Sequence, residues 1–330
     1  MVGFAISFAS VFGRMVWSTR LKLLDLLVLL VSLYILQRLS NQLSSFSAIT
    51  KEFLIDGPNR NHPQMSQNSP ILLSKTNRDV WMVLIDNDYV SNTIRTTGEW
   101  EPETSTYLEK HVKEGEIVIE AGANIGYYTA LLGKLVGASG QVYSFEANKE
   151  TYELATLTLK MNDLQPHVHL QNLAVSNRNG LVNFTYQPIA SARSHYINTG
   201  GSHILTKHTK QLSHSRSVQT TTLDSALPSV TNVSWLRMDI EGAEIIAIEG
   251  AQRIIQHSPR IKIVMEWNRL YLEAFSDVNR FIDRMHQNGF QFYYLSSTED
   301  NQHPISKEML LSMGQTDKDL LLMRGSAEAL

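Results

Sequence analysis

The chain has 330 residues, 43% of them apolar, with 29 Lys and Arg against 32 Asp and Glu for a net charge of −3. The apolar share supports a packed core and excludes wholesale disorder, and the weak negative charge does not support a strongly basic nucleic-acid binder. The absence of cysteine removes disulfide scaffolds, thiolate zinc sites, iron–sulfur clusters and cysteine nucleophiles together.

The opening of this slightly acidic chain is basic. Residues 1–40 hold Arg14, Arg20, Lys22 and Arg38 against Asp25 alone. From Leu21 to Leu39 the residues are nearly all apolar, and the run meets the roughly 17–25 residues of a membrane-crossing helix. Its charges, Lys22, Asp25 and Arg38, stand near the ends, where snorkelling lowers their cost. The expectation is a cytosolic tail and a single-pass signal-anchor helix within residues 1–40. A cleaved secretory signal is the alternative, although the best cleavage-like site, before Ala48, lies far past the apolar run. An amphipathic or buried helix fits the continuous leucines less well. Basic residues ahead of the run place the remainder on the lumenal, extracytoplasmic side of the membrane. Residues 41–70, rich in Ser, Asn and Gln and broken by Pro58, Pro63 and Pro70, read as a polar stalk.

Residues 71–330 alternate between strands and helices. Val80–Ile85 reads as a buried strand and Glu103–Val112 as a helix. Strands follow at Glu116–Glu120, Gly140–Phe145, Val168–Leu173, Leu181–Tyr186, Ser234–Met238, Arg260–Met265 and Gly289–Tyr294. Helices lie between them at Tyr127–Leu135, Lys149–Met161, Ala243–Ile255 and Asp277–Asn288. This alternation predicts an α/β domain, a mostly parallel twisted sheet with helices on both faces. Ligands of such sheets sit beyond the carboxyl ends of the strands, at a switch point in strand order. The stretch Ile189–Ser217 departs from the rhythm as a long Ser/Thr/Gly-rich loop with His195, His203, His208 and His214. Loops of this length serve as lids or binding loops, or are solvated insertions. Asn183-Phe-Thr185 and Asn232-Val-Ser234 match the N-glycosylation pattern, but both abut or lie in core strands and read as chance matches.

Chemistry concentrates at three strand ends. Glu120-Ala-Gly122-Ala-Asn124-Ile-Gly126 joins a strand to a helix through a tight turn whose glycines allow close backbone approach. It lacks the Gly-x-Gly-x-x-Gly of a dinucleotide site. Glu120 ahead of the turn repels a pyrophosphate but suits a ligand with a positive amine, such as S-adenosylmethionine. Glu146 ends the next strand about 20 residues on, where a carboxylate accepts hydrogen bonds from ribose hydroxyls. Asp239, Glu241 and Glu244 crowd the end of a third strand.

In that order, Glu120-Ala-Gly-Ala-Asn-Ile-Gly-Tyr-Tyr-Thr129, Phe145-Glu146-Ala-Asn148, Asn172-Leu-Ala174-Val-Ser176, Thr222-Leu-Asp224 and Met238-Asp239-Ile-Glu241-Gly-Ala-Glu244 resemble the signatures of FkbM-type methyltransferases. Gly98-Glu-Trp-Glu-Pro102 fits the segment ahead of them. Glu120 stands where many relatives have Asp. The resemblance covers about Asp79 to Tyr294. It implies a Rossmann-like class I methyltransferase fold, S-adenosylmethionine as cofactor, and O-methylation of a sugar, glycan or related small molecule. By position it implies that Glu120, Gly122, Asn124 and Gly126 hold the methionine part, Glu146 the ribose, and Asn172 and Ala174 the adenine.

Methyl transfer to a hydroxyl needs an aligned oxygen and an acceptor for its proton. Asp239 is the first candidate, Glu266 at the next strand end the second, and His203 the alternative base. Asp239, Glu241 and Glu266 together form a candidate oxygen site for magnesium. Alternatives are a protein or lipid methyltransferase at the membrane, or a degenerate module that binds the cofactor without turnover.

Overall fold

The computed structural model describes residues 32–33, 71–193, 196–296 and 303–325. The expected anchor over 21–39 therefore lies, apart from Ser32 and Leu33, outside the described residues, as does the stalk. Among the described residues no helix is long and apolar enough to cross a membrane.

A hairpin of β1 (Ile71–Lys75) and β2 (Trp81–Ile85) opens the α/β domain. Helix Tyr89–Thr97 follows, capped by the Asp88 carboxylate at one end and by Gly98 at the other. Helix Pro102–His111 leads into β3 (Ile117–Ala121), β4 (Gln141–Phe145) and β5 (Val168–Gln171), joined by helices Tyr127–Val136 and Lys149–Met161. The chain then leaves the main sheet. β6 (Ala174–Val175), β7 (Gly180–Tyr186), β8 (His203–Ile204) and β9 (His214–Thr221) build a separate sheet in the order β6-β9-β7-β8. It returns through β10 (Trp235–Met238), β11 (Lys262–Asn268), β12 (Phe290–Tyr294) and β13 (Gln315–Arg324).

The main sheet has seven strands in the order β12-β13-β11-β10-β3-β4-β5. β11, β10, β3, β4 and β5 run parallel, and β13 is antiparallel to both its neighbours. From β3 the chain steps outward to β4 and β5, then comes back to β10 on the opposite flank of β3. That reversal makes the β3/β10 boundary the switch point where a ligand crevice forms.

Side chains alternate across the sheet. Ile119, Ala121, Phe145, Leu236, Met238, Ile263 and Met265 pack with Ile245, Ile248, Ile254, Phe281 and Ile282 into one continuous core. In the alternate register Ser144, Glu120 and Arg237 lie side by side on β4, β3 and β10, a polar row on the other face.

Several elements differ from the sequence reading, among them β1 and helix Tyr89–Thr97, which it does not predict. The predicted helix 243–255 is two, Glu244–Glu249 and Gln252–Gln256. At Gly250 the backbone is pressed against the Ser176 carbonyl, with room for no side chain, so the chain steps aside there. The long loop contains β8 and the first half of β9; the exposed positions of β9 are polar, so apolar alternation does not betray it. β13, unpredicted, sits between β11 and β12, with only Leu320 to Met323 showing apolar character.

Thr222-Leu-Asp224 has a structural role. The Thr222 side chain caps helix Leu223–Ala226, and the Asp224 carboxylate accepts from the amides of Arg253 (2.8 Å) and Ile254 (3.0 Å). It thus serves amides at the start of helix Gln252–Gln256. Asp224→Ala is expected to lower stability by about 1–2 kcal/mol in denaturant titration while leaving the calorimetric affinity for S-adenosylmethionine unchanged.

Candidate active site

The turn after β3 is shaped by packing first. Gly122 has φ +92, and a Cβ there would lie 1.9 Å from the carbonyl oxygen of Asp239. Its missing side chain lets the tips of β3 and β10 meet. Gly126, at φ +88, would set a Cβ 3.0 Å from the Ala155 backbone, so it admits helix Lys149–Met161. The sequence reading assigned both glycines to ligand approach. Gly122 lines the crevice as well as packing; Gly126 does not line it.

Glu120 is fully buried. One of its oxygens accepts from Thr129 (2.6 Å) and Ser144 (2.7 Å), and the other stands 3.9 Å from the Arg237 guanidinium. Burial raises its pKa, and Arg237 works against that rise. It lies behind the crevice and does not line it. Arg237, which the sequence reading passed over, is the buried centre of this region. It reaches Asp239 at 3.0 Å and Glu101 at 3.5 Å, and lies 4.1 Å over the Tyr128 ring. Burial opposes its charge, but Asp239 and Glu101 hold its pKa above the usual value. A charged residue inside the otherwise apolar Trp235–Met238 was the available signal.

Glu146, at the tip of β4, binds its surroundings as much as it awaits a ligand. It accepts from the amides of Asn124 (2.7 Å) and Asn148 (2.8 Å) and from the Thr151 hydroxyl (3.0 Å). Burial pushes its pKa up to about 6, against the pull of those bonds. Asn172 donates to the carbonyls of Glu146 (2.8 Å) and Ala147 (3.2 Å). It therefore fixes the β4 turn and does not itself line the crevice.

The crevice opens beyond β3, β4 and β10 and holds about 580 Å³ of empty space, part of it open to solvent. Gly122, Asn124, Glu146, Ala174 and Asp239, each a candidate from the sequence, line it. Phe145, Leu173, Val175, Phe184, Ile204 and Ala243 give it an apolar wall, and Thr199, Gly200 and Ser202 close one side. An apolar wall beside a carboxylate suits a nucleoside. His203 is one residue past this edge, with its ring nitrogens each 3.0 Å from a backbone carbonyl, those of Gly201 and Lys210. It braces its own loop and does not line the crevice. His195 lies outside the described residues.

Asp239 begins an acidic cluster. Asp239, Glu241 and Glu266 each offer a carboxylate oxygen within 4.8 Å of the others. β13 adds Asp319, paired in register with Glu266 and accepting from Thr104 at 2.8 Å. Burial, and repulsion from Asp239, Glu241, Glu244 and Asp319, hold the Glu266 pKa far above the carboxylate range. Burial, with Asp319 adding to it, raises that of Glu101. Asp319 was missed together with its strand; Glu101, within the quoted Gly98–Pro102 segment, had no pattern to mark it.

Glu244 is buried and accepts from the Ile240 amide at 2.8 Å. It thereby braces a loop that carries Glu241 at φ 55, a conformation uncommon for residues other than glycine.

Fold and crevice together define an α/β domain with a ligand site at the switch point of its parallel sheet. The sequence pattern described as the methyltransferase FkbM domain matches residues 120–292, and the chain belongs to that family. Over 52 residues it is 40% identical to a protein-L-isoaspartate O-methyltransferase of Thermosipho melanesiensis, covering 16% of this chain and 26% of that one. A protein of the same description from Methanothrix thermoacetophila is 43% identical over 49 residues, or 15% and 23% of the two chains. The chain thus spans about a quarter of these curated relatives. Among solved structures, an S-adenosylmethionine-dependent O-methyltransferase of Thermotoga maritima is 15% identical, with 77% of this chain and 78% of that one covered and a TM-score of 0.39. An O-methyltransferase of Bacillus cereus in complex with S-adenosylhomocysteine is 12% identical, with 69% and 83% covered and a TM-score of 0.41.

Burial pushes the Glu244 pKa up to about 7 from an ordinary 4.5. The folded state then holds a proton that the unfolded chain releases, so this stabilisation is complete below pH 4.5 and is lost as pH rises through 7. Glu146, at about 6, acts in the same direction. The melting temperature should fall between pH 5 and 8. Glu244→Gln, which keeps an acceptor for the Ile240 amide, should flatten that fall in a scanning-calorimetry series; an unchanged slope would clear Glu244 of the effect.

Proposed function

We propose that this methyltransferase transfers the methyl group of S-adenosylmethionine to a hydroxyl of a sugar, glycan or related small molecule. The observation that carries the reading is a single crevice in which Glu146 and an apolar wall stand on one side and Asp239 on the other. Bound S-adenosylmethionine would supply an electrophilic methyl on a cationic sulfur. Glu146 and Asn124 meet the ribose and methionine ends, and Leu173 and Ala174 face the base. Asp239 orients the acceptor hydroxyl and takes its proton as the carbon–oxygen bond forms and the carbon–sulfur bond breaks. Arg237 keeps the Asp239 carboxylate aimed by its 3.0 Å contact. Glu266 is the second carboxylate of this edge.

A positioned base contributes about 10²–10⁴-fold in rate. Asp239→Asn should therefore cut turnover by about that factor while calorimetry shows near-normal cofactor affinity; wild-type turnover would remove Asp239 from the reaction. Membranes or extracts incubated with methyl-labelled cofactor, then sorted into glycan, lipid and protein, identify the acceptor class, and label in protein or lipid alone overturns the carbohydrate reading.

Two finer readings belong to this proposal. Magnesium at Asp239, Glu241 and Glu266 would lower the pKa of a bound hydroxyl. On that reading chelation cuts turnover and added magnesium restores it, whereas full activity in chelator dismisses the metal. The apolar segment 21–39 would anchor the enzyme with its catalytic domain lumenal. Protease protection of the domain in sealed vesicles is then expected, and digestion without detergent would reverse the orientation.

A further inference from the structure

The segment 197–204, inside the long loop, is tied down at both ends. At its start the Ile197 carbonyl accepts from the Tyr89 amide at 2.9 Å, and the Ile197 amide donates to Asn87 at 3.0 Å. Asp88 is fully buried; one carboxylate oxygen caps helix Tyr89–Thr97 at Ser91 (2.8 Å) and the other accepts from the Thr199 amide (2.9 Å). At its end the segment enters β8, where Ile204 pairs with Phe184 of β7. Between these ties, the Asn198 side chain accepts from the Gly200 amide and the Ser202 hydroxyl donates to the Thr199 carbonyl, both at 3.0 Å. The segment is a strap across the crevice, set by the hairpin end of the domain.

Thr199 is 3% exposed and lines the crevice, and its hydroxyl oxygen has no hydrogen-bond partner among the described residues. The side-chain oxygen of Asn124, across the same crevice, is likewise buried and unpartnered. The two sides are close: a Cβ on Gly200 would lie 3.8 Å from the Asn124 amide nitrogen. A buried hydroxyl without a partner is costly, and two such atoms facing one crevice point to a polar group that enters it.

We propose that Thr199 is a cofactor-binding residue, whose hydroxyl, with the Asn124 side-chain oxygen, takes a hydrogen-bond donor of S-adenosylmethionine. Asp88 is its positioning residue. The proposal rests on the cofactor reading above and adds to it a residue that lies outside the family signatures of the sequence. The shared ligand chemistry is a donor, which the cofactor carries both as its α-ammonium and as its ribose hydroxyls.

Calorimetry with S-adenosylhomocysteine tests it. Thr199→Val keeps shape and removes the hydroxyl; the dissociation constant should rise about 5–15-fold, and Thr199→Ser should bind within about twofold of wild type. The Asp88→Ala penalty should shrink when Thr199 is already valine, because the two act through one bond. The same series with 5′-methylthioadenosine, which lacks the amino-acid part, separates the sources. A loss with both ligands assigns the hydroxyl to the ribose, and a loss with S-adenosylhomocysteine alone to the ammonium. Thermal melting of each apo variant checks folding, with Thr199→Ala standing in where valine is not accommodated. Wild-type affinity in a folded Thr199→Val or Thr199→Ala overturns the proposal and leaves the cofactor reading intact. No binding by the wild type overturns the cofactor reading, and this proposal with it.

Discussion

Arg237 is the constraint on which the rest of this site turns. It occupies a strand position directly beside Glu120, and its guanidinium reaches Asp239 and Glu101 at ion-pair distance. Removing a buried charge from water is expensive, and only close, well-oriented partners offset it. Here the offset runs both ways. Glu120 and Asp239 tolerate each other on neighbouring strand tips because a cation lies between them, and Arg237 tolerates burial because they, with the Tyr128 ring, surround it. Helix Pro102–His111 is drawn in through the same set, since Glu101 precedes its first turn and Thr104 donates to Asp319. Its amino-terminal dipole also favours the acids gathered there.

The glycine at position 122 adds a steric condition to this electrostatic one. With a Cβ position 1.9 Å from the Asp239 carbonyl, any side chain there would prise β3 from β10 and separate the turn after β3 from the Asp239 carboxylate. Tip contact and buried cation therefore act on the same pair of strands. The turn after β3 and the acidic edge of β10 are in this sense one unit, although about 115 residues separate them in sequence.

Much of this was legible in the sequence, for physical reasons that can be named. Parallel strands buried on both faces write themselves as short apolar runs, so β3, β4, β10 and β11 were visible, and their order around a switch point located the crevice. That Glu146 and Asp239 stand at this crevice was legible because a carboxylate at a strand end is conspicuous. What the pattern could not convey is direction. Glu120 ends a strand too, but its register turns it under the sheet toward Thr129 and Ser144. Gly126 sits in the right turn but serves the helix behind it. Asp319 and the strap at Thr199 escaped because they come from a strand with polar ends and a loop without periodicity; only tertiary pairing brings them to the site.

The distribution of charge also bears on how such a site accelerates transfer. A sulfonium loses its positive charge as the methyl departs, so carboxylates that merely attract it hold the reactant more than the transition state and gain nothing in rate. The structure limits that attraction. Glu120 faces Arg237 and lies behind the crevice, Glu266 is held toward its neutral form by burial and by the acids around it, and Glu146 is committed to two amides and a hydroxyl. Asp239 remains, partly exposed in the crevice and aimed by Arg237. On the proposed reaction, a carboxylate so held favours a hydroxyl that gives up its proton, and that demand grows as the new bond forms.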